Sequence, residues 1–305
     1  MKILHLCLSN FFIDGVGYQE NELVYEHVKS GHDVLVIAST ETIDVNGKLS
    51  HVSPSDYIGV EGARIIRLPY RKFLPKKIME KLRMHPGLMN LLQKECPDVI
   101  MFHGTCGWEL ITVHRYLKKK SDKKVLFYID SHEDYHNSAR NFLSKYLLHR
   151  VYYRSILKSV LKKKLQKILC YSLESIDFVK NEYKISENYL ELYPLGGRPL
   201  DDENYNHRRN LTRKLYGLKE SDILIVQTGK LNERKKILES LKAFQETSNE
   251  NFRFIIAGVL DISIEEEFNR ILSLDRRISF VGWKSLEDLT NLLSAADLYL
   301  QPGTQ

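Results

Sequence analysis

The sequence predicts an α/β protein of two doubly wound domains, each built on a largely parallel sheet. Short runs of β-branched residues alternate with helical stretches along the 305 residues, which is the rhythm of repeated βαβ units. This length favours two domains. Two prolines and two glycines within residues 193–199 break both periodicities. We therefore expect one domain over residues 1–195 and a second over residues 196–305.

The first domain contains six runs that predict buried strands. These are residues 2–8, 33–38, 63–68, 98–103, 125–129 and 168–171. The stretches between them that predict helices are residues 18–30, 75–95, 108–119 and 139–164. Asn46-Gly47, within residues 44–49, is a two-residue turn signal and predicts a small hairpin.

The second domain repeats the same alternation. Its predicted strands are residues 223–227, 252–257, 278–281 and 298–301, and its predicted helices are residues 211–216 and 238–247. Sheets of this kind bind ligands at the carboxyl ends of their strands. Two such domains predict a ligand-binding cleft between them.

Composition excludes several classes of protein. No apolar run approaches the roughly 18 residues of a spanning helix, and residues 1–10 are typical of a first strand rather than a signal peptide. The four cysteines form no CxxC pair, which favours reduced thiols in a cytoplasmic protein and gives little support to a zinc site. The formal net charge of +6 is too small to indicate nucleic acid by itself.

A glycine-containing loop, Gly15-Val16-Gly17, follows the first predicted strand and precedes a helix. Glycines let a ligand approach the backbone, and a helix N-terminus favours an anion. Glu20 stands where a dinucleotide fingerprint requires a third glycine, and no clear acidic residue follows the second strand, which disfavours a nicotinamide dehydrogenase. A plain strand-to-helix turn remains the alternative.

Two neighbouring strands of the first domain lead into histidines, His103 and His132. The loop after the second of these strands is rich in polar groups: Asp130, Ser131, His132, Glu133, Asp134, His136 and Asn137. Such a cluster at the functional edge of a sheet favours hydrogen bonding to a polyhydroxylated substrate. A metal site formed by His132, Asp134 and His136 is the weaker alternative, because alternation along a loop is poor evidence of ligation.

A cationic loop in the second domain joins Gly229 at a strand end to an amphipathic helix. Lys230, Arg234, Lys235 and Lys236 lie at or before the helix start, where cations oppose the helix dipole. A bound anion would resolve that conflict. The alternative is a solvated run of charges.

These segments together resemble the GT-B glycosyltransferases of the retaining family 4 type, which have two Rossmann-like domains. The resembling segments are residues 15–17, 98–103, 195–197, 229–236, 243–244, 254–258, 278–283 and 292–302. Each motif is modest, but their order and spacing extend over essentially the whole chain.

The resemblance implies transfer of a sugar from a nucleotide-diphosphate sugar to an acceptor, with retention and without a metal or other cofactor. Lys230 and Lys235 would hold the donor diphosphate, and His132 would position a sugar hydroxyl. The implied donor-binding residues are Gly229, Lys230, Lys235, Gly258, Gly282 and Trp283. The implied phosphate or acceptor loop is Gly15, Val16 and Gly17, and the implied acceptor-side residues are His103, Asp130 and Glu133.

The sequence also departs from the family pattern. Lys230 replaces an arginine and loses the planar fork that grips phosphate, and Lys236 replaces a glycine. The E-x7-E element expected after residues 297–302 is absent, so we expect an incomplete second domain and little transferase activity from these residues alone. The alternatives are a non-catalytic nucleotide-sugar-binding subunit and a GT-B-type sugar-nucleotide epimerase.

The segment from Arg140 to Lys167 carries nine basic residues, no acidic ones and many interleaved apolar residues. A basic amphipathic helix binds anionic membranes, and related enzymes of cell-surface glycan or polysaccharide biosynthesis dock in this way onto lipid-linked acceptors. We therefore expect a cytoplasmic protein with a glycan or lipid-linked acceptor, peripheral on the inner face of the membrane. A core-packed helix with a solvated basic face is the equal alternative, and no nucleic-acid motif accompanies the segment.

Overall fold

A computed structural model describes residues 1–43, 49–120, 124–161, 165–197 and 200–303. The chain divides into two compact units, Met1–Gly197 and Arg198–Gln305, with the division two residues beyond the predicted one. Each unit has its own sheet and core. The predicted fold class is confirmed: the first unit has a large, mostly parallel sheet and the second a smaller sheet of four strands.

The sheet of the first unit has the strand order β10-β9-β8-β7-β1-β2-β6-β5. Its strands and those of a separate hairpin are β1 (Lys2–Cys7), β2 (Asp33–Ser39), β3 (Glu41–Ile43), β4 (Leu49–His51), β5 (Ser55–Ile58), β6 (Arg64–Leu68), β7 (Val99–His103), β8 (Leu126–Ser131), β9 (Leu165–Cys170) and β10 (Leu190–Leu192). All neighbours pair in parallel except β5 and β6. The central strands are apolar on both faces because helices cover both.

The helices of the first unit are α1 (Gln19–Lys29), α2 (Lys76–Leu82), α3 (Leu88–Glu95), α4 (Glu109–Lys119), a π-helix (Ser144–Tyr153), α5 (Arg154–Leu161), α6 (Leu173–Tyr183) and a 3-10 turn (Glu187–Tyr189). The single helix predicted over residues 75–95 is wrong, because Arg83 ends α2 in a left-handed conformation and Gly87, at φ +82°, starts α3. The helix predicted over residues 139–164 begins three residues later than predicted, and its Ser144–Tyr153 part is π-helical. Lys162–Lys164 lie outside the described residues.

The predicted hairpin is confirmed by the antiparallel pairing of β3 with β4. Its Asn46-Gly47 turn lies outside the described residues. The sequence prediction missed β5, β10 and α6 in the first unit and the helices over residues 265–274 and 286–295 in the second. The first two are short strands at the sheet edges, with little apolar periodicity.

The second unit has the sheet order β13-β12-β11-β14, all parallel. Its elements are α7 (Asp202–Leu215), β11 (Ile223–Leu231), a 3-10 turn (Glu233–Lys235), α8 (Ile237–Gln245), β12 (Phe252–Leu260), a 3-10 turn (Ile262–Ile264), α9 (Glu265–Leu274), β13 (Ile278–Phe280), α10 (Leu286–Ala295) and β14 (Leu298–Tyr299). Helix α7 begins nine residues before the predicted start, because Asp201 caps it by accepting the Asn204 N–H at 2.8 Å.

Each sheet is anchored by fully buried apolar side chains, such as Phe102 and Phe127 in the first unit and Phe254 in the second. Burying a side chain of this size contributes about 1.5–3 kcal/mol. This rigid core fixes the carboxyl ends of β1, β7, β8 and β9 at one edge of the first sheet. None of the helices within the described ranges is long and apolar enough to cross a membrane.

Candidate functional site

A buried carboxylate, Asp130, ties together the ends of three neighbouring strands in the first unit. His103, at the end of β7, is paired opposite Asp130 in β8 and hydrogen-bonds to it through Nδ1. Asp130 also accepts the Gly104 N–H at 2.8 Å and the Tyr171 hydroxyl, just beyond β9, at 2.9 Å. His103 and Asp130 are both 0% exposed. Their contacts therefore fix the positions of the loops that follow β7, β8 and β9.

Two further histidines extend this contact away from the sheet edge. His5 Nδ1 lies 2.9 Å from His103 Nε2, and His5 Nε2 lies 3.0 Å from His27 Nδ1 on α1. Burial lowers the pKa of His103, but the charge of Asp130 outweighs it and raises that pKa above its usual value. Burial, together with the neighbouring histidines, lowers the pKa of His5 well below its usual value. When His103 is protonated, it donates to Asp130 and to a neutral His5, which donates in turn to His27.

His132, in the loop after β8, faces a carboxylate on the first turn of α1. Its Nε2 lies 3.0 Å from Glu20 Oε1, and its ring lies over Tyr171 with centroids 4.0 Å apart. Burial opposes protonation, but the contact with Glu20 and the charge of Asp130 raise the pKa of His132. An imidazolium in this position is a strong hydrogen-bond donor toward an oxygen-rich ligand.

A cavity of about 390 Å³ borders His132 and Glu133. Glu133 accepts hydrogen bonds from the Ser131 hydroxyl at 2.6 Å and the Thr105 N–H at 3.1 Å, which fix its carboxylate. Asn10 and Asn137 also line the cavity. The cavity therefore offers both hydrogen-bond donors and acceptors, as binding of a hydroxylated molecule requires.

Glu20, His103 and Asp130 each offer one ligand atom, and these atoms lie within 4.8 Å of one another. Such a triad is a candidate cation site. Both ring nitrogens of His103 are already hydrogen-bonded, to Asp130 and His5, and Glu20 contacts His132. A cation at this position would have to replace those contacts. The alternating set His132, Asp134 and His136 does not form such a group within the described residues.

The Gly15-Val16-Gly17 loop is held by hydrogen bonds to residues outside it, Glu61 and Ile13. Gly15 has φ +72°, and its N–H donates to the buried Glu61 at 3.2 Å. The Val16 N–H donates to the Ile13 carbonyl at 3.3 Å. Glu20 places a carboxylate of the protein itself in the first turn of α1. Two N–H groups of the loop are therefore already hydrogen-bonded within the protein. The N-terminus of α1 already has the carboxylate of Glu20 in its first turn.

Three glycines meet at the carboxyl ends of the second sheet. Gly229 of β11 pairs with Gly258 of β12, and the Gly258 N–H donates to the Gly282 carbonyl at 2.9 Å. A Cβ at Gly258 would lie 1.9 Å from the Gly229 carbonyl oxygen, so only glycine allows this approach. Trp283, 71% exposed, follows directly. The result is a bare backbone surface with an exposed aromatic ring beside it.

The cationic loop after Gly229, residues 230–236, is called the basic loop here, and it begins directly beside this glycine surface. Asn232 accepts the Lys235 N–H at 3.1 Å, and Gln227 donates to the Lys235 carbonyl at 3.0 Å, so the backbone of the loop is fixed. Lys236 has φ +55° and pairs with Glu239 at 2.9 Å. Lys230 is exposed and Lys235 half-buried, and neither has a carboxylate within 4.0 Å in the part of the chain that the structure describes. Two uncompensated ammonium groups beside open backbone suit a diphosphate.

Sequence reasoning missed several side chains that organise the first-unit cluster: His5, His27, Glu20 and Tyr171. His5 lies within an apolar strand, and Glu20 attracted notice only as a departure from a glycine fingerprint. His5 reaches the cluster through the parallel pairing of β1 with β7, and Glu20 reaches it from helix α1, so no local spacing reveals either contact. Tyr171 was within reach of prediction, because it ends a predicted strand beside the histidine loop.

Several solved structures share this fold. HepE from Anabaena, in complex with UDP, aligns with a TM-score of 0.61 at 13% identity, covering 100% of this chain and 75% of its own. WaaG, a glycosyltransferase of lipopolysaccharide biosynthesis, aligns at 0.59 and 17%, covering 99% and 75%. The UDP-GlcNAc 2-epimerase of Neisseria meningitidis, bound to UDP-GlcNAc, aligns at 0.54 and 10%, covering 98% and 76%. Similarity at these identities establishes the fold alone.

No curated protein sequence matches the chain. One family does match, and it covers the glycine surface and the basic loop of the second unit. These features therefore lie within residues 208–305, the stretch that matches the family model described as glycosyl transferases group 1.

Proposed function

We propose that the protein is a glycosyltransferase of the hexosyltransferase type that uses a nucleotide-diphosphate sugar as donor. The observation that carries the proposal is the placement of Lys230 and Lys235, without carboxylate partners among the described residues, beside the bare surface of Gly229, Gly258 and Gly282. This arrangement supports binding of a diphosphate by lysine side chains. The exposed Trp283 supports binding of a nucleotide base by stacking.

The proposed chemistry follows from where charge develops. As the bond between the anomeric carbon and the phosphate oxygen breaks, the sugar becomes oxocarbenium-like and the leaving diphosphate gains negative charge. Lysine ammonium groups fixed beside that oxygen stabilise the transition state more than the ground state. We assign His132 to positioning a sugar hydroxyl, with Glu20 holding its charged form. We further propose retention of anomeric configuration and no requirement for a metal or other cofactor.

We propose a glycan or lipid-linked acceptor in cell-surface glycan or polysaccharide biosynthesis. In support, WaaG is described as a lipopolysaccharide enzyme, and the π-helix region exposes apolar side chains four residues apart: Leu143, Leu147 and Val151. Lys145 and Arg150 beside them pair with Glu182, which reduces the local positive charge. Apolar insertion would therefore contribute more than charge to peripheral binding at the inner membrane face.

Co-sedimentation with liposomes tests this membrane contact. Replacing Leu143 and Leu147 with serine should abolish binding, while serine at Leu215, which is exposed in the second unit, should not. Equal binding by all three proteins would exclude the contact.

Calorimetric titration tests the donor proposal. The full chain is titrated with UDP, GDP and ADP, and then with a sugar conjugate of the nucleotide that binds. We expect micromolar to millimolar binding of one nucleotide diphosphate, lost in Lys230→Ala/Lys235→Ala. If no nucleotide diphosphate binds the folded protein, the proposal is wrong.

A sugar-nucleotide epimerase is the second candidate, favoured by the paired His132 and Glu20, which are suited to proton transfer. Incubation with the bound nucleotide sugar in D₂O separates the two. An epimerase incorporates deuterium at a sugar carbon, whereas a glycosyltransferase releases the nucleotide and leaves the carbon-bound hydrogens unchanged.

A further inference from the structure

We propose that the first unit contains a second ligand site, a groove between the α2–α3 connection and α4 that binds a phosphorylated sugar or polyol. Its lining includes Arg71, His85, Trp108, Glu109, Arg115 and Lys118. None of these residues contributes to the cluster around His132 or to the basic loop of the second unit. The inference therefore does not depend on the proposed transferase activity.

The groove has the size of a small-molecule site. Its volume is about 810 Å³, roughly twice that of the cavity beside His132, and pockets for small ligands are typically about 300–1,000 Å³. Trp108 is half-buried and Phe73 exposed, so each presents ring surface to the groove. Such surfaces accept the C–H face of a sugar or polyol.

Two buried polar atoms of lining residues lack partners. His85 is 0% exposed, and its Nδ1 donates to the Pro69 carbonyl at 3.1 Å, which leaves Nε2 as an unsatisfied acceptor. Glu109 is 1% exposed; its Oε1 accepts the His85 backbone N–H at 2.7 Å, while its Oε2 has no partner. Leaving a buried polar group unpaired costs about 1–3 kcal/mol. A ligand with hydroxyl groups would satisfy both atoms.

The charge of the groove indicates an anion. Arg71, Arg115, Lys118 and Lys119 line it, and none has a carboxylate within 4.0 Å among the described residues. The single carboxyl group of the lining, Glu109, has a pKa raised by its burial, which favours its neutral form. Four cations around hydroxyl-binding atoms match a phosphate attached to a polyol. That chemistry occurs in soluble sugar phosphates and in the headgroups of anionic phospholipids.

Calorimetric titration of the full chain tests the site with glucose 6-phosphate, glycerol 3-phosphate and inorganic phosphate. Sedimentation with phosphatidylglycerol or phosphatidylcholine vesicles tests the lipid source. We expect binding of a phosphorylated polyol, either free or in a phosphatidylglycerol surface, and at least tenfold weaker binding in Arg115→Ser/Lys118→Ser/Lys119→Ser. All three substitutions are at exposed positions. Lys29→Ser, an exposed lysine on α1, is the matched control and should bind like the wild type.

His85→Asn examines the floor of the groove. Asparagine can retain the hydrogen bond to Pro69 while removing Nε2, so binding should weaken at least tenfold without loss of folding. If this variant fails to fold, the exposed triple variant decides alone. Absence of binding to every phosphate ester and vesicle, unchanged binding in the triple variant, or equal affinity for inorganic phosphate would overturn the proposal.

Discussion

His5 and His103 meet edge to edge in the core of the first unit, with ring planes within 7° of parallel and a 2.9 Å contact between Nδ1 and Nε2. Because Asp130 contacts the other nitrogen of His103, the pKa of His103 is raised while burial lowers that of His5, so a positive charge is favoured on His103 over His5. The direction of hydrogen bonding is thereby set from the sheet edge to His27 on α1. This chain links the loop that carries His132 to the helix that carries Glu20.

The charge pair of His103 and Asp130 predicts a pH-dependent stability. His103 has a raised folded-state pKa, so its contribution is complete below about pH 6.5 and is lost as pH rises through the folded pKa. Asp130 has a folded-state pKa lowered by His103 against the effect of burial, so its contribution is lost as pH falls below about 3.9. The stability advantage of wild type over His103→Asn should be greatest between these values. Thermal unfolding from pH 4 to 9 measures it, and an advantage that grows above pH 7 would contradict the assignment.

Glu20→Gln should lower the pKa of His132. The substitution keeps the shape of the side chain and removes the negative charge that helps hold the imidazolium. A downward shift of the His132 pKa relative to the wild type is expected. NMR titration of the ring protons, assigned with His132→Gln, measures it, and transferase activity should lose its high-pH range in parallel. Glu26→Gln, exposed on the same helix, is the control and should leave the His132 titration unchanged.

Lys230→Ala and Lys235→Ala should each weaken binding of a nucleotide diphosphate. A charge-assisted hydrogen bond is worth about 1.5–3 kcal/mol, so the Kd should rise by about ten- to a hundredfold. Lys230→Arg should retain affinity, because the guanidinium keeps the charge and adds a second prong. Lys242→Ala on α8, where the lysine pairs with Glu267, should have no effect. If all these variants bind the nucleotide diphosphate with the same affinity, the basic loop is not part of the binding site.

Gly258→Ala should destabilise the second unit far more than Gly217→Ala. Both glycines have positive φ, for which a side chain costs about 1–2 kcal/mol. At Gly217 the added Cβ meets no atom within 4 Å, whereas at Gly258 it lies 1.9 Å from the Gly229 carbonyl oxygen. Scanning calorimetry compares the variants. Similar unfolding temperatures would show that β11 and β12 separate easily.

Removal of metal ions should leave sugar transfer unchanged. Lys230 and Lys235 provide positive charge of the kind that a divalent cation supplies to other phosphate sites. Activity is measured before and after EDTA treatment, with Mn²⁺ added back. If EDTA abolishes the activity and Mn²⁺ restores it, the reaction requires a cation. The group of Glu20, His103 and Asp130 would then be the first candidate position for it.

The sequence predicted the fold through patterns that are local. β-branched runs between amphipathic stretches located the central strands of both sheets, and the proline and glycine cluster located the division to within two residues. Elements with weak periodicity were missed or misjudged. Helix α7 depends on the Asp201 cap and on Arg209 and Arg213, which pair with Asp297 more than 80 positions away.

By itself, the sequence determined the α/β class, the glycine ends of the second sheet and the basic loop beside them, because each depends on residues close together in the chain. Only the tertiary structure decided the histidine chain, the contact of Glu20 with His132, and the groove over His85 and Glu109. Those features join segments separated by 22 to 112 positions. The packing of strands, helices and loops from distant parts of the chain sets their distances, which spacing along the chain does not reveal.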